Sequence, residues 1–470
     1  MAGGSFIGLD IGSNMIKVLE ARGGNGRVEV TALGMEQTPR EAYDNGVILD
    51  AHMLGQAVKA LLKKSGISSS NCVSAANSSA SVVVRVVDMP AMNDSELAEQ
   101  VRWETERQVP FPMSDIIMDY QKVERPESVG GANVEVVLAA AQQEYIDQHV
   151  EVLFAAGLKP KYIDVSPLAI ARALLDIGPE ASQALGHTVI IVNIGAANTE
   201  VSIYRDNLLA FSRSVPMGGD MFTRAIAEGM NLSQEAAEAL KKDVAEVLFD
   251  ANSVAPASTE DAGGGFTDFG SPGGFMDFGA QPDAGTPSGP VSSPSGRMPF
   301  DFSNPTPPPS TPFDFAAEGG HEGDQPVVES GADAAATTPP ASSELAPVTP
   351  SDAAADAQRV QVFNAIAPLV AELVQEIKRS LDYYKSRVGD APVHEVLLVG
   401  GTSKLRKLAD FVQANLGIPT RVANPLQNVQ VTSKNYSHDY LEEVAAMFPV
   451  SLGLAVYDLL GSPPAKKRKK

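Results

Sequence analysis

Three strand-like runs end in turns of small residues, and each is able to hold an anion. They read Ile-Gly-Leu-Asp-Ile-Gly-Ser-Asn at 7–14, Val-Asn-Ile-Gly-Ala-Ala-Asn-Thr at 192–199 and Leu-Leu-Val-Gly-Gly-Thr-Ser at 397–403. Glycine in such a turn lets backbone N–H groups approach a phosphate, because no Cβ stands in the way. Further strand-like runs follow the first two, so each is expected to be a hairpin, its tip either a phosphate cradle or a plain turn. The third could face a base or ribose. Set in this order and roughly 180 to 200 residues apart, the three are a more specific signal than any one of them. Neither a Gly-x-x-x-x-Gly-Lys-Ser/Thr loop nor a strand followed by Gly-x-Gly-x-x-Gly is present, so a nucleotide would have to be held in another way.

The turns need a scaffold, and the flanking sequence predicts a mixed α/β one. Strand-like runs at 6–9, 15–22 and 28–34 precede a helix at 52–65 and another strand at 82–87. Asn93 with Glu96 three residues on has the form of a capping box, opening a helix through Arg107 that Val-Pro-Phe-Pro at 109–112 must stop. A small α/β unit is expected over 92–164. A second strand set at 188–193 and 200–204 leads into helices near 222–228 and 234–249. Val360, Phe363, Ala367, Val370, Val374, Ile377, Leu381 and Tyr384 recur at spacings of three and four, marking a long amphipathic helix that Pro368 either kinks or starts.

Composition bounds the rest. The 470 residues carry 36 Lys+Arg against 58 Asp+Glu, a net charge of -22, which argues against nucleic acid as a partner. A single cysteine, Cys72, and six scattered histidines give no structural zinc site. No run of 18 apolar residues and no signal-like start is seen, so neither a membrane span nor a standard secretion signal is expected. Between 251 and 357, 31 of 107 residues are Pro or Gly, 15 are acidic and one, Arg297, is basic. That composition is expected to form a disordered linker inserted within a folded domain. It repeats Phe-Thr-Asp-Phe and Phe-Met-Asp-Phe at 266–269 and 275–278, and Pro-Phe-Asp-Phe at 299–302 and 312–315. These Phe-Asp-Phe units read equally as docking motifs for an unknown partner or as low-complexity drift. The tail Lys-Lys-Arg-Lys-Lys at 466–470 reads as a solvated tail, a contact for anionic lipid or for the acidic linker, or a run that mimics a nuclear localisation signal.

The turn residues resemble a known superfamily, that of actin, the 70-kilodalton heat-shock chaperones, sugar kinases and the bacterial proteins FtsA and MreB. Its first hairpin reads Asp-x-Gly-Ser/Thr-x-x-x-Lys, matched by Asp10, Gly12, Ser13 and Lys17. The resemblance implies that Asp10 holds hydrated magnesium, that Lys17 reaches a phosphate and that Asn14 adds a donor. It makes Asn193, Gly195, Ala196, Ala197, Asn198 and Thr199 the second phosphate hairpin. Gly218, Gly219 and Asp220 look like the turn before the next helix. Ala-Glu-Ala-Leu-Lys at 237–241 looks like the pattern that sets Glu238 and Lys241 against adenine and ribose, where a bare i, i+3 pair would be surface decoration. Gly400, Gly401 and Thr402 look like the adenosine motif.

Within the superfamily the sequence resembles the PilM family of type IV pilus assembly proteins, through Gly-Leu-Asp-Ile-Gly-Ser at 8–13, Val-Pro-Phe-Pro at 109–112, Asp-Val-Ser-Pro-Leu-Ala at 164–169, Val-Pro-Met-Gly-Gly-Asp at 215–220 and Ser-Leu-Asp-Tyr-Tyr at 380–384. What this implies is an α/β, actin-like (ribonuclease H-like) two-domain fold with a nucleotide cleft and an FtsA-type inserted subdomain. Subdomain 1A would span 5–91 with a return at 165–187, and the insert, 1C, 92–164. The second domain would span 188–250 and 358–447, either side of the linker. A C-terminal helix at 448–461 would return to 1A, ahead of the basic tail at 462–470. The implied function is an ATP- and Mg-binding cytoplasmic adaptor that meets the inner membrane through its partner. It would hold the N-terminal peptide of the inner-membrane protein PilN, beside other pilus inner-membrane and motor components. Arg85 and Trp103 are candidates for lining the peptide site, with core packing the rival role for Trp103.

Two positions depart from the superfamily pattern. The second hairpin usually begins with Asp and here has Asn193, so a metal-attracting charge is missing. Ser166 stands where Glu or Gln usually orients the attacking water, and serine is a poor general base without a partner. Slow or absent hydrolysis is therefore expected, and no catalytic residue is assigned. The alternatives are a polymerising cytoskeletal protein like FtsA or actin and, further off, a small-metabolite kinase on the same fold.

Overall fold

Alternating apolar and polar residues near the N-terminus build an antiparallel meander of β1 (Phe6–Ile11), β2 (Met15–Gly24) and β3 (Arg27–Gln37). The computed structural model describes residues 5–460 apart from 25–26, 124, 126–132, 178–185, 250–349, 390 and 434. A short ribbon of β4 (Tyr43–Asp44) and β5 (Val47–Ile48) leads to α1 (Ala51–Lys64), capped by Asp50, and then to β6 (Asn71–Ala76). The chain next forms a separate three-stranded sheet: β7 (Val82–Pro90), α2 (Asp94–Gln108), β8 (Ile116–Val123) and β9 (Asn133–Gln142), in the order β7-β9-β8. Both reciprocal bonds of the Asn93/Glu96 capping box are present at the start of α2, which ends at Gln108, before Pro110.

With α3 (Gln143–Ala155), β10 (Lys159–Val165) and α4 (Ser166–Leu174) the chain returns to its first sheet. β10 pairs in parallel with β6, and α3 packs on α1 where Gly55 meets Ala155. The small unit therefore occupies residues 82–142, displaced from the 92–164 expected from sequence. A β-branched run announces a strand but not the sheet it will join, which explains the displacement.

The second domain comprises β11 (Thr188–Ile194), β12 (Thr199–Arg205), β13 (Leu208–Val215), α5 (Gly219–Met230), α6 (Gln234–Val244), α7 (Pro350–Val388), β14 (Glu395–Val399), α8 (Leu408–Leu416) and β15 (Thr420–Val422). Its sheet runs β13-β12-β11-β14-β15. α7 begins within the stretch assigned to the linker, because Ala353, Ala354, Ala355 and Ala357 are strong helix formers and Pro350 suits a first turn. The helix continues through Pro368, which lies on its exposed side. Its buried row is Val362, Ile366, Val370, Leu373, Val374, Ile377, Leu381 and Tyr384, so the early positions are shifted from those predicted and Val360 is exposed. By length and composition α7 is the one helix among the described residues able to cross a membrane, yet that row sits in the core of the second domain.

The last elements, β16 (Gln430–Val431), α9 (His438–Val444) and α10 (Pro449–Ala455), belong to the first domain. β16 extends the first sheet, order β10-β6-β1-β2-β3-β16, so the second domain ends near 423 and not at the expected 447. α10 lies against β1 and α4 at a separation only glycine permits. A Cβ on Gly8 would fall 1.8 Å from the Ser451 carbonyl oxygen, and one on Gly453 would fall 1.7 Å from that of Ala169.

The small unit is fastened to the second domain by arginines. Arg125, fully buried, pairs with Glu135 at 2.7 Å and donates across to the Arg205 and Leu209 carbonyls. Arg387, near the end of α7, donates to the Val86 carbonyl at 3.1 Å and pairs with Asp88. Val86, Val123 and Val137 share one apolar cluster with Val189, Tyr204, Leu209 and Leu397. The Phe-Asp-Phe motifs, residues 251–349 of the linker and the basic tail lie outside the described residues.

Candidate functional site

The strand register places the charges. Asp10 on β1 stands opposite Lys17 on β2, and Asp10 Oδ2 meets Lys17 Nζ at 2.6 Å. The tip between them is closed by Gly12 N–H donating to the Met15 carbonyl at 3.1 Å. Thr38 pins it from β3's end, its hydroxyl donating to the Gly12 carbonyl at 2.7 Å and its N–H to that of Asn14 at 2.9 Å. The other Asp10 oxygen accepts from Asn77 Nδ2 at 2.6 Å, and Asn77 Oδ1 accepts from the Ser166 hydroxyl.

The β11–β12 hairpin closes in the same way, Gly195 N–H donating to the Asn198 carbonyl at 2.9 Å. The start of α5 is bound to this tip, with Gly219 and Asp220 N–H groups donating to the Gly195 and Ala196 carbonyls, each at 2.9 Å. A Cβ on Gly218 would lie 2.3 Å from the Ala196 carbonyl oxygen, and one on Gly219 would lie 2.5 Å from Thr402 Oγ1. Thr402 in turn donates to the Gly195 carbonyl at 3.1 Å. Gly400 has φ +89°, and a Cβ there would fall 2.4 Å from the Ile194 carbonyl oxygen, so glycine is required twice over. On α6, Lys241 Nζ reaches the Gly219 carbonyl at 3.0 Å, Thr223 Oγ1 at 2.7 Å and Glu238 at 2.6 Å. Burial opposes the Glu238 charge, but bonds from Lys241, Thr223 and Lys242 pull its carboxyl below the ordinary range.

These parts surround one cleft of about 600 Å³, within the range of small-molecule sites. Asp10, Gly12, Ser13, Asn14 and Lys17 line one wall. Asn193, Gly195, Ala196, Ala197, Asn198, Gly219, Glu238, Lys241, Gly400, Gly401 and Thr402 line the other. Two expected residues stand behind it. Thr199 is buried and donates to the Met217 carbonyl at 2.7 Å, and Gly218 is pressed on Ala196. The cleft continues to β7 through Val82, Val84 and Arg85. Desolvation lowers the pKa of the Arg85 guanidinium although the residue keeps an exposed surface, and Arg213 nearby lowers it further. Trp103 is elsewhere: it is 68% exposed on α2, whose buried side is Leu97, Val101 and Thr105, so it does no core packing and does not line the cleft.

Among the cleft residues that escaped the sequence reading, Asn77 and Glu200 stand next to the expected metal-binding positions. Glu200 lies directly across the hairpin from Asn193, so a carboxylate stands one strand away from the position where one was missed. Burial pushes it up to about 8, the Asn193 hydrogen bond opposes that rise, and the Asp10 charge adds to it. A lone acidic residue in Thr-Glu-Val-Ser-Ile-Tyr was the available signal. Among the described residues no three His, Cys, Asp or Glu gather as a direct metal site.

Two facing α/β domains with phosphate-type hairpins at the cleft between them define an actin-like ATPase fold. The chain belongs to the type IV pilus assembly protein PilM family, which matches residues 8–246, and the FtsA cell division family matches 190–439. Among curated relatives, FtsA of Streptococcus pneumoniae is 26% identical over 264 residues, 52% of this chain and 56% of that one. FtsA of Bacillus subtilis is 23% identical over 266 residues, 52% of this chain and 59% of that one. The chain thus spans rather more than half the length of these relatives. Among solved structures, a PilM-PilN type IV pilus biogenesis complex aligns with TM-score 0.66 and 24% identity, covering 97% of this chain and 98% of that one.

Proposed function

We propose that this chain is a cytoplasmic, ATP-binding adaptor of pilus assembly that holds the N-terminal peptide of a PilN-type inner-membrane protein and turns ATP over slowly or not at all. The observation that carries the reading is the convergence of three glycine turns and two lysines on one cleft that also reaches β7 of the small unit. The donor set suits a magnesium nucleotide. N–H groups at two hairpin tips would face phosphates, Lys17 would neutralise charge, and Glu238, Lys241 and the Gly400–Thr402 turn would meet the nucleoside. Asp10, with an acceptor site left on each oxygen, would hold magnesium through water. The bound ion would draw charge from the phosphates.

Hydrolysis is slow in this reading because Ser166 cannot take a proton from water, and a missing general base removes roughly 2 to 4 orders of magnitude. Placement at the inner face of the membrane follows from the peptide partner, and a PilN-type peptide suits the similarity to a PilM-PilN complex. Calorimetric titration with Mg·ATP, with phosphate assayed afterwards, and a second titration with a PilN N-terminal peptide test the two halves. Binding of both with little phosphate supports the adaptor, and phosphate release of order one per second refutes the assignment of Ser166. Nucleotide-dependent sedimentation without peptide binding would move the protein to the filament class.

A further inference from the structure

Asn77, on the loop after β6, stands in the cleft wall between two residues that the sequence treats separately. Its Nδ2 donates to Asp10 Oδ1 at 2.6 Å and its Oδ1 accepts from Ser166 Oγ. Behind it, its backbone N–H donates to the Tyr145 hydroxyl at 3.3 Å. The amide orientation is forced. Asp10, ion-paired with Lys17, offers only acceptors, so the NH2 must face it and the carbonyl must face Ser166. Ser166 then spends its single hydroxyl proton on Asn77, and only lone pairs remain on an oxygen that lines the cleft.

We propose that Asn77 is a positioning residue that fixes Ser166 as a hydrogen-bond acceptor toward the cleft and holds the Asp10 carboxylate in place beside Lys17. The inference rests on the ATP-binding reading. A water donating to Ser166 Oγ would be held in the cleft but would keep its proton, since a serine hydroxyl is far too weak a base. Turnover is then slow and measurable, and not zero. Asn77 does this through the two side-chain bonds of a single amide.

The test is Mg·ATP calorimetry and single-turnover phosphate release on wild type, Asn77→Ala, Ser166→Ala, the double variant and Asn77→Asp. Each single alanine is expected to slow release about tenfold, the scale of one lost hydrogen bond. The double variant should be no slower than Ser166→Ala, because one residue acts through the other. Affinity should fall further in Asn77→Ala than in Ser166→Ala, through the loosened Asp10. Asn77→Asp keeps an acceptor for Ser166 and loses the donor to Asp10, so its release should fall less than that of Asn77→Ala and its affinity more. A double variant slower by the product of the two effects overturns the proposal. So does wild-type release equal to a no-protein control. Absence of Mg·ATP binding to wild type would overturn the ATP reading, and this inference with it.

Discussion

Two titratable residues, buried His149 and half-buried Glu200, pull the pH dependence of stability in opposite directions. His149, buried under the first hairpin, has Nε2 2.9 Å from the Ser74 hydroxyl, and Ser74 donates to the Leu9 carbonyl. The imidazole must therefore donate, which fixes the neutral Nε2–H tautomer, and burial pushes its pKa down to about 4. An unfolded histidine takes up its proton near 6.5, so folding stability is lost as pH falls from about 6.5 to 4, by about 3 kcal/mol. Glu200 works the other way: its raised value means that the folded state keeps a proton the unfolded chain has given up, so its contribution is lost as pH rises toward 8. Urea denaturation from pH 4 to 9 should show the two trends offsetting between about pH 4.5 and 6.5 and stability falling from there toward pH 8. Glu200→Gln should remove that fall and leave only the acid-side loss of His149, whereas His149→Gln should leave stability falling from about pH 4.5 upward. Glu200 also qualifies the deficit at Asn193. Asn193→Asp should raise phosphate turnover, measured at saturating Mg·ATP, with Glu200 remaining the protonated member of the new pair.

Between elements, the tightest fits are made by glycine. α10 is seated with Gly8 of β1 on one side and Gly453 facing Ala169 on the other, and in both cases a Cβ would collide with backbone. Gly8→Ala or Gly453→Ala is expected to cost about 3 kcal/mol, the upper end of overpacking, since a backbone carbonyl cannot swing away as a side chain can. The fall in melting temperature should come with weaker nucleotide affinity, because Gly8 is two residues from Asp10. Much of this layer was legible in the sequence. The meander, the capped α2 and the glycine tips follow from local alternation, Asn93/Glu96 and small-residue runs. Where a strand would pair was not legible: β7 looks the same whichever sheet receives it, and β16 finds β3 across about four hundred residues. Asn77 and Glu200 stayed hidden for the same reason, because each matters through a neighbour that only the register or the fold supplies. The exposure of Trp103 was not legible either, because a lone aromatic in a helix carries no sign of which side is covered.

At the scale of the whole molecule, the arginine seam joins units that the cleft would otherwise leave free to part. Removing Arg125 leaves two backbone carbonyls without their buried donor and leaves Glu135 with Arg205 alone, at 3.5 Å. The cost therefore falls at the lower end of the range for a broken buried pair, about 3 kcal/mol. For Arg125→Ala, hydrogen exchange should rise in β8 and β9 while β1 and β2 stay protected. Uniform loss of protection would mean that the seam holds up the entire fold and not one joint. The first domain is assembled from both ends of the chain: Ser451 donates to the Lys17 carbonyl at 3.4 Å, and Tyr436 to that of Leu33. At about 5 to 20 residues per second, the ribosome needs on the order of tens of seconds between making the Asp10 hairpin and releasing the helix that backs it. For that interval one face of the meander is covered by α1 and α3 and the other, with Leu19, Val30 and Leu33, waits for the C-terminal helix. The topology thus leaves an apolar sheet face open until synthesis is nearly finished, and a stop codon placed before position 449 would leave it open permanently.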